Sequence, residues 1–162
     1  MKLNENGLKD REEWMKKGYR LPEFDRETVK KRTKERPQWI HFGAGNILRA
    51  FQANVLQELL NRGVMDTGMI AAEGYDYEII ENINLLHDGF SILLTLKSDG
   101  TMEKTVIGSI VESLEVNPEN KKDFERLKEI FCADSLQIVS FTITEKGYSL
   151  KGADGQIGRA HV

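Results

Sequence analysis

The sequence predicts an α/β fold of Rossmann type: a largely parallel sheet with helices on both faces and an antiparallel β-hairpin inserted into it. Three observations carry this. After residue 37 the apolar segments alternate between strand and helix patterns. Residues 136–143 are apolar with little interruption, as in a strand buried on both faces. Between the first strand and the first helix stands a glycine turn, Gly43-Ala44-Gly45.

Each element has its own signal. Trp39-Ile40-His41-Phe42 is a short apolar strand running into Gly43. A helix follows from about Asn46, with Ile47, Phe51, Val55 and Leu59 stepping at four-residue spacing and Leu48, Leu56 and Leu60 widening the stripe. Gly63 is placed to end it. Residues 68–72 form a second small apolar strand ending at Glu73. Asp76 then caps a helix whose apolar positions are Ile79, Ile80, Ile83 and Leu86. Residues 90–96 alternate Ile92, Leu94 and Leu96 and reach Asp99-Gly100, a hairpin signal, after which 102–107 return. A strand over 110–116 comes next. Pro118 opens a helix carrying Phe124, Leu127, Ile130 and Phe131, and 136–143 is the last strand.

Before residue 37 the text is polar. Residues 1–13 are loosely held, with Trp14, Tyr19 and Leu21 as the obvious anchors. The basic run from Val29 to Arg36 reads as a solvated helix or linker, because no aromatic residues interleave it as they would in a nucleic-acid patch.

Composition narrows the function classes. The chain has 162 residues, room for one domain with a real core. With 40% hydrophobic and 30% charged residues it has a globular composition rather than a disordered one. A net charge of -3 excludes the strongly basic balance of proteins that live on phosphate backbones. No apolar run approaches the roughly 18 residues of a membrane helix. The first 18 residues are charged throughout, unlike a secretory leader. The single cysteine, Cys132, forms no internal disulfide, so the expected compartment is reducing and cytoplasmic. Cys132 reads as a small core filler. His41, His87 and His161 have no metal spacing with it, and no metal is expected.

The chemistry gathers at the glycine turn. Gly43 permits the tight turn, and Gly45, lacking a Cβ, lets a pyrophosphate approach the backbone. The helix from Asn46 offers free N–H groups and the positive end of its dipole, with Arg49 adding a charge on the first turn. Leu48 occupies the position of the usual third glycine. The second expected element is an acidic residue after the second strand to accept hydrogen bonds from a ribose. Glu73 holds that place, with Asp76 as rival, and such a carboxylate favours NAD over NADP. The third element is Thr142-Ile143-Thr144-Glu145-Lys146-Gly147-Tyr148, at the carboxyl end of the sheet, where open α/β proteins bind ligands. The residues expected at the cofactor are therefore Gly43, Ala44, Gly45, Asn46, Arg49, Glu73, Thr144 and Lys146.

On these residues the sequence resembles the long-chain polyol dehydrogenase family, which includes the mannitol dehydrogenases. The likeness lies in residues 39–51, in Gly108-Ser109-Ile110-Val111-Glu112-Ser113, and in 135–148. The leader 8–14, Gly18-Tyr19-Arg20-Leu21-Pro22 and Ala72-Glu73-Gly74-Tyr75-Asp76 look most like the fructuronate reductase (mannonate oxidoreductase) branch. The resemblance implies an NAD-binding Rossmann domain. Gly43, Gly45, Asn46 and Arg49 would lie near the pyrophosphate and Glu73 near the ribose. The implied reaction is hydride transfer between a nicotinamide and a sugar acid or polyol. It also implies a second, mostly helical domain with a lysine acid/base in the pattern Lys, four residues, Asn, two residues, His. Asn84 and His87 fit the end of that pattern, but residue 79 is Ile79, so the match reads as coincidence and no catalytic residue is assigned.

The expected organisation is a polar N-terminal extension (1–36), a truncated NAD-binding Rossmann-like domain (37–150) and a tail (151–162). Family chains are several times longer, so the segment is expected to be inactive alone. Two other readings stand beside it: a domain binding S-adenosylmethionine, which also uses a glycine turn, and a non-enzymatic interaction module.

Overall fold

The computed structural model describes residues 1–143. After a single 3-10 turn, Gly7–Lys9, the chain forms α1 (Arg11–Lys16), the short strand β1 (Tyr19–Arg20) and α2 (Arg26–Glu35). Strand β2 (Trp39–Phe42) leads through the glycine turn into a helix that is π-helical over Leu48–Gln52 and regular over α3 (Ala53–Asn61). Strand β3 (Met69–Glu73) follows, then α4 (Tyr77–Ile79), continued as π-helix over Ile80–Leu85. The hairpin β4 (Ser91–Leu96) and β5 (Met102–Ile107), strand β6 (Ile110–Glu115), helix α5 (Lys121–Phe131) and strand β7 (Ile138–Phe141) complete the described chain.

Four strands make one wholly parallel sheet in the order β6-β3-β2-β7. Counted along this sheet's own strands, that is third, second, first, fourth, the arrangement at the centre of a Rossmann sheet. A second sheet, β1-β5-β4, holds the antiparallel hairpin, with β1 parallel to β5.

Strand β3 is buried along its whole length, and its alternation divides the core in two. Met69 and Ala71 join Leu48, Leu56 and Leu60 of the first helix and Val29 of α2. Ile70 and Ala72 join Ile40, Leu127 and Ile130 against α5. Helices therefore cover both faces. Fully burying each of Ile40, Ile70, Leu56 and Ile130 is worth about 1.5–3 kcal/mol. An exposed pair such as Lys128–Glu125 contributes about 0–1 kcal/mol. Packing on the two faces, not surface charge, holds the sheet.

Caps mark the helix starts. The side chains of Asp10, Asp25 and Asn120 accept the N–H groups of Glu13, Thr28 and Asp123. Because Asn120 caps it, α5 begins at Lys121 rather than at Pro118.

The structure corrects several expectations. The stripe Ile47, Phe51, Val55 faces solvent, and the buried positions are Leu48, Ala53, Leu56, Gln57 and Leu60. The cause is the π-helical turn, which holds more residues than an α turn, so four-residue spacing slides off one face. In the helix after β3 the buried positions are Ile80 and Asn84, and Leu86 is exposed. Strand β7 is not buried on both faces: Ile138, Val139 and Phe141 are exposed, since among the described residues it has β2 as its one neighbour. Cys132 is exposed at the C-cap of α5 and fills no core.

Residues 1–13 are not loosely held: Leu3 and Leu8 pack against the cluster of Trp14, Leu21, Phe90 and Val106, and the rest of the first 36 residues is anchored too. Val29 and Thr33 of α2 are buried. Arg26 pins this segment. It donates to Glu5 at 2.6 Å, to the Gly108 carbonyl at 3.0 Å, to the Ile110 carbonyl at 3.0 Å and to the Asp88 carbonyl. No helix among the described residues is long and apolar enough to cross a membrane, and none of their acidic, His and Cys residues group to hold a metal ion.

Candidate functional site

The site forms where β2 and β3 end. Gly43 adopts φ 108°, a conformation that excludes most side chains, and its N–H donates to the Ala72 carbonyl at 2.8 Å. A Cβ on Gly43 would stand 3.3 Å from the Cβ of Thr142. Glycine is thus required here both by the backbone and by the close pass of the chain leaving β7. Gly45 differs: a Cβ there meets nothing within 4 Å, so open space lies above the turn. Among the described residues the N–H groups of Gly45 and Asn46 have no acceptor. Two free donors at a helix start, beside open space, are the arrangement that receives an anionic oxygen.

Glu73 is buried at the end of β3, and its carboxylate organises the rim. One oxygen accepts the Ala44 N–H at 2.9 Å. The other accepts the N–H groups of Gly74 at 2.9 Å and Tyr75 at 3.0 Å, and of Asp76 at 3.5 Å. Glu73 thereby joins the glycine turn to the loop after β3. Asp76 is exposed and its side chain caps no helix N–H.

Arg49 lies on the first helical turn, half-buried. It donates to the Gly45 carbonyl at 3.4 Å and to the Asn46 side-chain oxygen at 3.2 Å. Burial lowers its pKa from the ordinary arginine value, though it stays charged.

Beneath the turn, β2 and β7 share a row of polar side chains. The Trp39 indole N–H donates to Ser140 Oγ at 2.7 Å, His41 Nδ1 lies 2.8 Å from the same oxygen, and His41 Nε2 lies 2.8 Å from Thr142 Oγ1. His41 is fully buried, and desolvation lowers its pKa, so the ring is neutral. Its role is hydrogen bonding at the strand end. The parallel pairing of Phe42 with Phe141 extends the register, setting Thr142 beside Gly43.

Of the residues expected at the cofactor, Gly43, Ala44, Gly45, Asn46, Arg49 and Glu73 converge on this rim; Thr144 and Lys146 lie outside the described residues. The sequence did not single out Thr142 with His41 as a pair, because cross-strand partners follow from register. Asn84, which fitted the end of the family's catalytic pattern, is buried and donates to Ser113 Oγ at 2.9 Å, a structural bond.

A parallel sheet in this strand order, with a glycine turn and a carboxylate at its carboxyl edge, defines a Rossmann-type fold. No family model matches the chain. It is 48% identical over 157 residues to a D-mannonate oxidoreductase of Thermotoga maritima, covering 97% of this chain and 29% of that relative. It is 32% identical over 136 residues to a D-mannonate oxidoreductase of Escherichia coli, covering 75% of this chain and 26% of that one. Among solved structures it is similar to a Pseudomonas fluorescens mannitol 2-dehydrogenase in ternary complex with NAD and D-mannitol. The TM-score is 0.73 and the identity 25%, over 97% of this chain and 30% of that one. A D-sorbitol dehydrogenase, 22% identical, shares the fold with a TM-score of 0.71 over 98% of this chain and 30% of its own. The chain belongs to the mannitol dehydrogenase family of oxidoreductases, near its D-mannonate oxidoreductases, and spans about three-tenths of their length.

Proposed function

We propose that the chain is the NAD-binding segment of an oxidoreductase that transfers hydride between a nicotinamide and a sugar acid, with fructuronate and mannonate as the favoured pair. The observation that carries this is the open space over Gly45 beside the unsatisfied N–H groups of Gly45 and Asn46. A pyrophosphate fits there because the turn offers donors and the positive end of the helix without a side chain in the way. Gly43 and Ala44 shape the turn, and Arg49 adds positive charge at its mouth. Glu73 keeps a lone pair on the oxygen that binds Ala44, which suits a ribose hydroxyl; Asp76, exposed three residues on, is the second candidate. Thr144 and Lys146, outside the described residues, remain the sequence's further candidates for the cofactor, in a segment suited to a nicotinamide or substrate pocket. The bound nicotinamide supplies or accepts the hydride; this chain's own residues bind and orient it, and none is assigned the proton transfer.

The name of the Thermotoga relative supports the sugar-acid reading, and the NAD complex of the mannitol dehydrogenase supports the cofactor. We place it in a reducing cytoplasm, a reading supported by a sequence whose one cysteine has no partner for an internal disulfide. Competition titration tests the reading. NADH is expected to bind, NADPH to bind at least tenfold more weakly, and S-adenosylmethionine not to displace NADH. Displacement by S-adenosylmethionine would favour the reading of a domain that binds S-adenosylmethionine.

A further inference from the structure

Beside the glycine turn lies a cavity of about 350 Å³, bounded by the start of the first helix, the end of the helix after β3 and the first residues of β4. Arg49, Asn46, His87 and Ser91 give it polar walls, and Phe90 and Leu93 lie on its apolar side. Its volume is at the small end for ligand pockets, suited to a small metabolite and too small for a dinucleotide.

Three arginines among the described residues are partly withdrawn from solvent: Arg26, Arg49 and Arg126. Arg26 is paired with Glu5 and Arg126 with Glu112. Arg49 has no carboxylate partner among the described residues. A guanidinium has five N–H donors, and Arg49 spends two of them on neutral oxygens, at 3.2 and 3.4 Å. Withdrawing a cation from water without a counter-charge is unfavourable, so the arrangement favours an anion that completes it. Two further groups at the cavity offer hydrogen bonds to a polar ligand. His87 Nδ1 lies 3.0 Å from the Leu3 carbonyl, which can only accept, so Nδ1 carries the proton and the other ring nitrogen is left to accept from a ligand hydroxyl. The Ser91 hydroxyl is shielded from water and has no hydrogen-bond partner among the described residues.

We propose that this cavity receives the carboxylate end of the sugar-acid substrate, with Arg49 as the charge partner, the Asn46 amide as a further donor, and His87 and Ser91 as hydrogen-bonding groups for the adjoining hydroxyls. The inference rests on the sugar-acid reading above. A planar guanidinium matches a carboxylate in two parallel hydrogen bonds. The cofactor's pyrophosphate has its own donors in the Gly45 and Asn46 amides, and Arg49, at the mouth of the turn, has three N–H donors to spare for a second anion beside it. The site then discriminates by charge: a polyol of the same carbon skeleton presents an alcohol where the acid presents a carboxylate, and leaves Arg49 without its partner.

The test compares D-mannonate with D-mannitol on the full chain. Binding is followed through the Arg49 side-chain N–H resonance, and NADH is titrated separately. D-Mannonate is expected to shift that resonance saturably, and D-mannitol at the same concentration to leave it unmoved. Arg49→Met should weaken D-mannonate at least tenfold more than it weakens NADH, with Arg49→Lys intermediate. His87→Gln, which retains a polar side chain, guards against a variant that merely misfolds and should weaken D-mannonate several-fold. Equal binding of mannitol and mannonate would overturn the inference. So would a wild-type chain that binds NADH but not mannonate, or an Arg49→Met variant whose loss falls on NADH alone, assigning the arginine to the cofactor phosphate. A chain that binds mannonate but not NADH would instead overturn the cofactor reading and leave this site standing.

Discussion

One carboxylate oxygen of Glu73 accepts the Ala44 N–H at 2.9 Å, and that bond ties the end of β3 to the glycine turn that follows β2. The other oxygen holds the loop from Gly74 to Asp76. A buried acceptor facing only donors is intolerant of a donor in its place. Glu73→Gln turns one oxygen into an amide N–H₂ that meets a backbone N–H, and leaving such a group unmatched costs about 1–3 kcal/mol. The urea midpoint should fall accordingly. A variant as stable as the wild type would show that the carboxylate does not hold the turn.

Gly43 and Gly45 should respond differently to the same methyl group. Gly43→Ala places a Cβ at φ 108° and 3.3 Å from Thr142, so both backbone strain and contact oppose it. A loss of about 1–3 kcal/mol by urea unfolding is expected. Gly45→Ala meets nothing within 4 Å and should change stability by less than about 1 kcal/mol.

His41 links stability to pH. Its folded pKa is lowered from the ordinary 6.5 by burial, so above that value both folded and unfolded chains hold it neutral and its contribution is complete. As pH falls below 6.5 the unfolded chain takes up a proton that the folded one refuses, and stability drops until the lowered folded pKa is reached. Unfolding midpoints measured from pH 8 to 5 should show this decline, and His41→Asn should flatten it. An unchanged slope in the variant would remove His41 from the account.

Arg26 joins the N-terminal segment to the domain through Glu5 and the carbonyls of Gly108 and Ile110. Arg26→Met keeps much of the stem's packing and leaves those partners unmatched. Leaving such part-buried carbonyls unmatched costs about 1–3 kcal/mol. The readout is whether hydrogen exchange accelerates across α2 and β6 as well as in residues 1–10; acceleration confined to the first ten residues would make the segment an appendage.

The sequence announced the elements through features that are local: a glycine turn after an apolar tetrapeptide, an Asp-Gly between alternating strands, and apolar stripes of helical period. It misplaced the faces where structure departs from local rule. The stripe Ile47, Phe51, Val55 looked like the core side because an α-helix was assumed, and the π-helical turn at Leu48–Gln52 rotates it outward. The exposure of Ile138 and Phe141 depends on which strands flank β7, and apolar composition does not report a strand's neighbours. At the site, the glycines and Glu73 were legible because each occupies a fixed place relative to a strand end. The His41–Thr142 contact and the cavity joining Arg49 to His87 were not, since they unite residues 101 and 38 positions apart in the chain.

The most direct test of the dinucleotide site is a calorimetric titration of NADH into the wild-type chain and into Gly45→Val. Among the described residues nothing lies within 4 Å of a Cβ on Gly45, so the bulkier side chain should leave the thermal midpoint within a few degrees while it fills the space proposed for the pyrophosphate. The account predicts saturable one-to-one binding by the wild type and at least a tenfold loss in the variant. Equal affinity in the two chains, or a folded wild type that does not bind NADH, would contradict it.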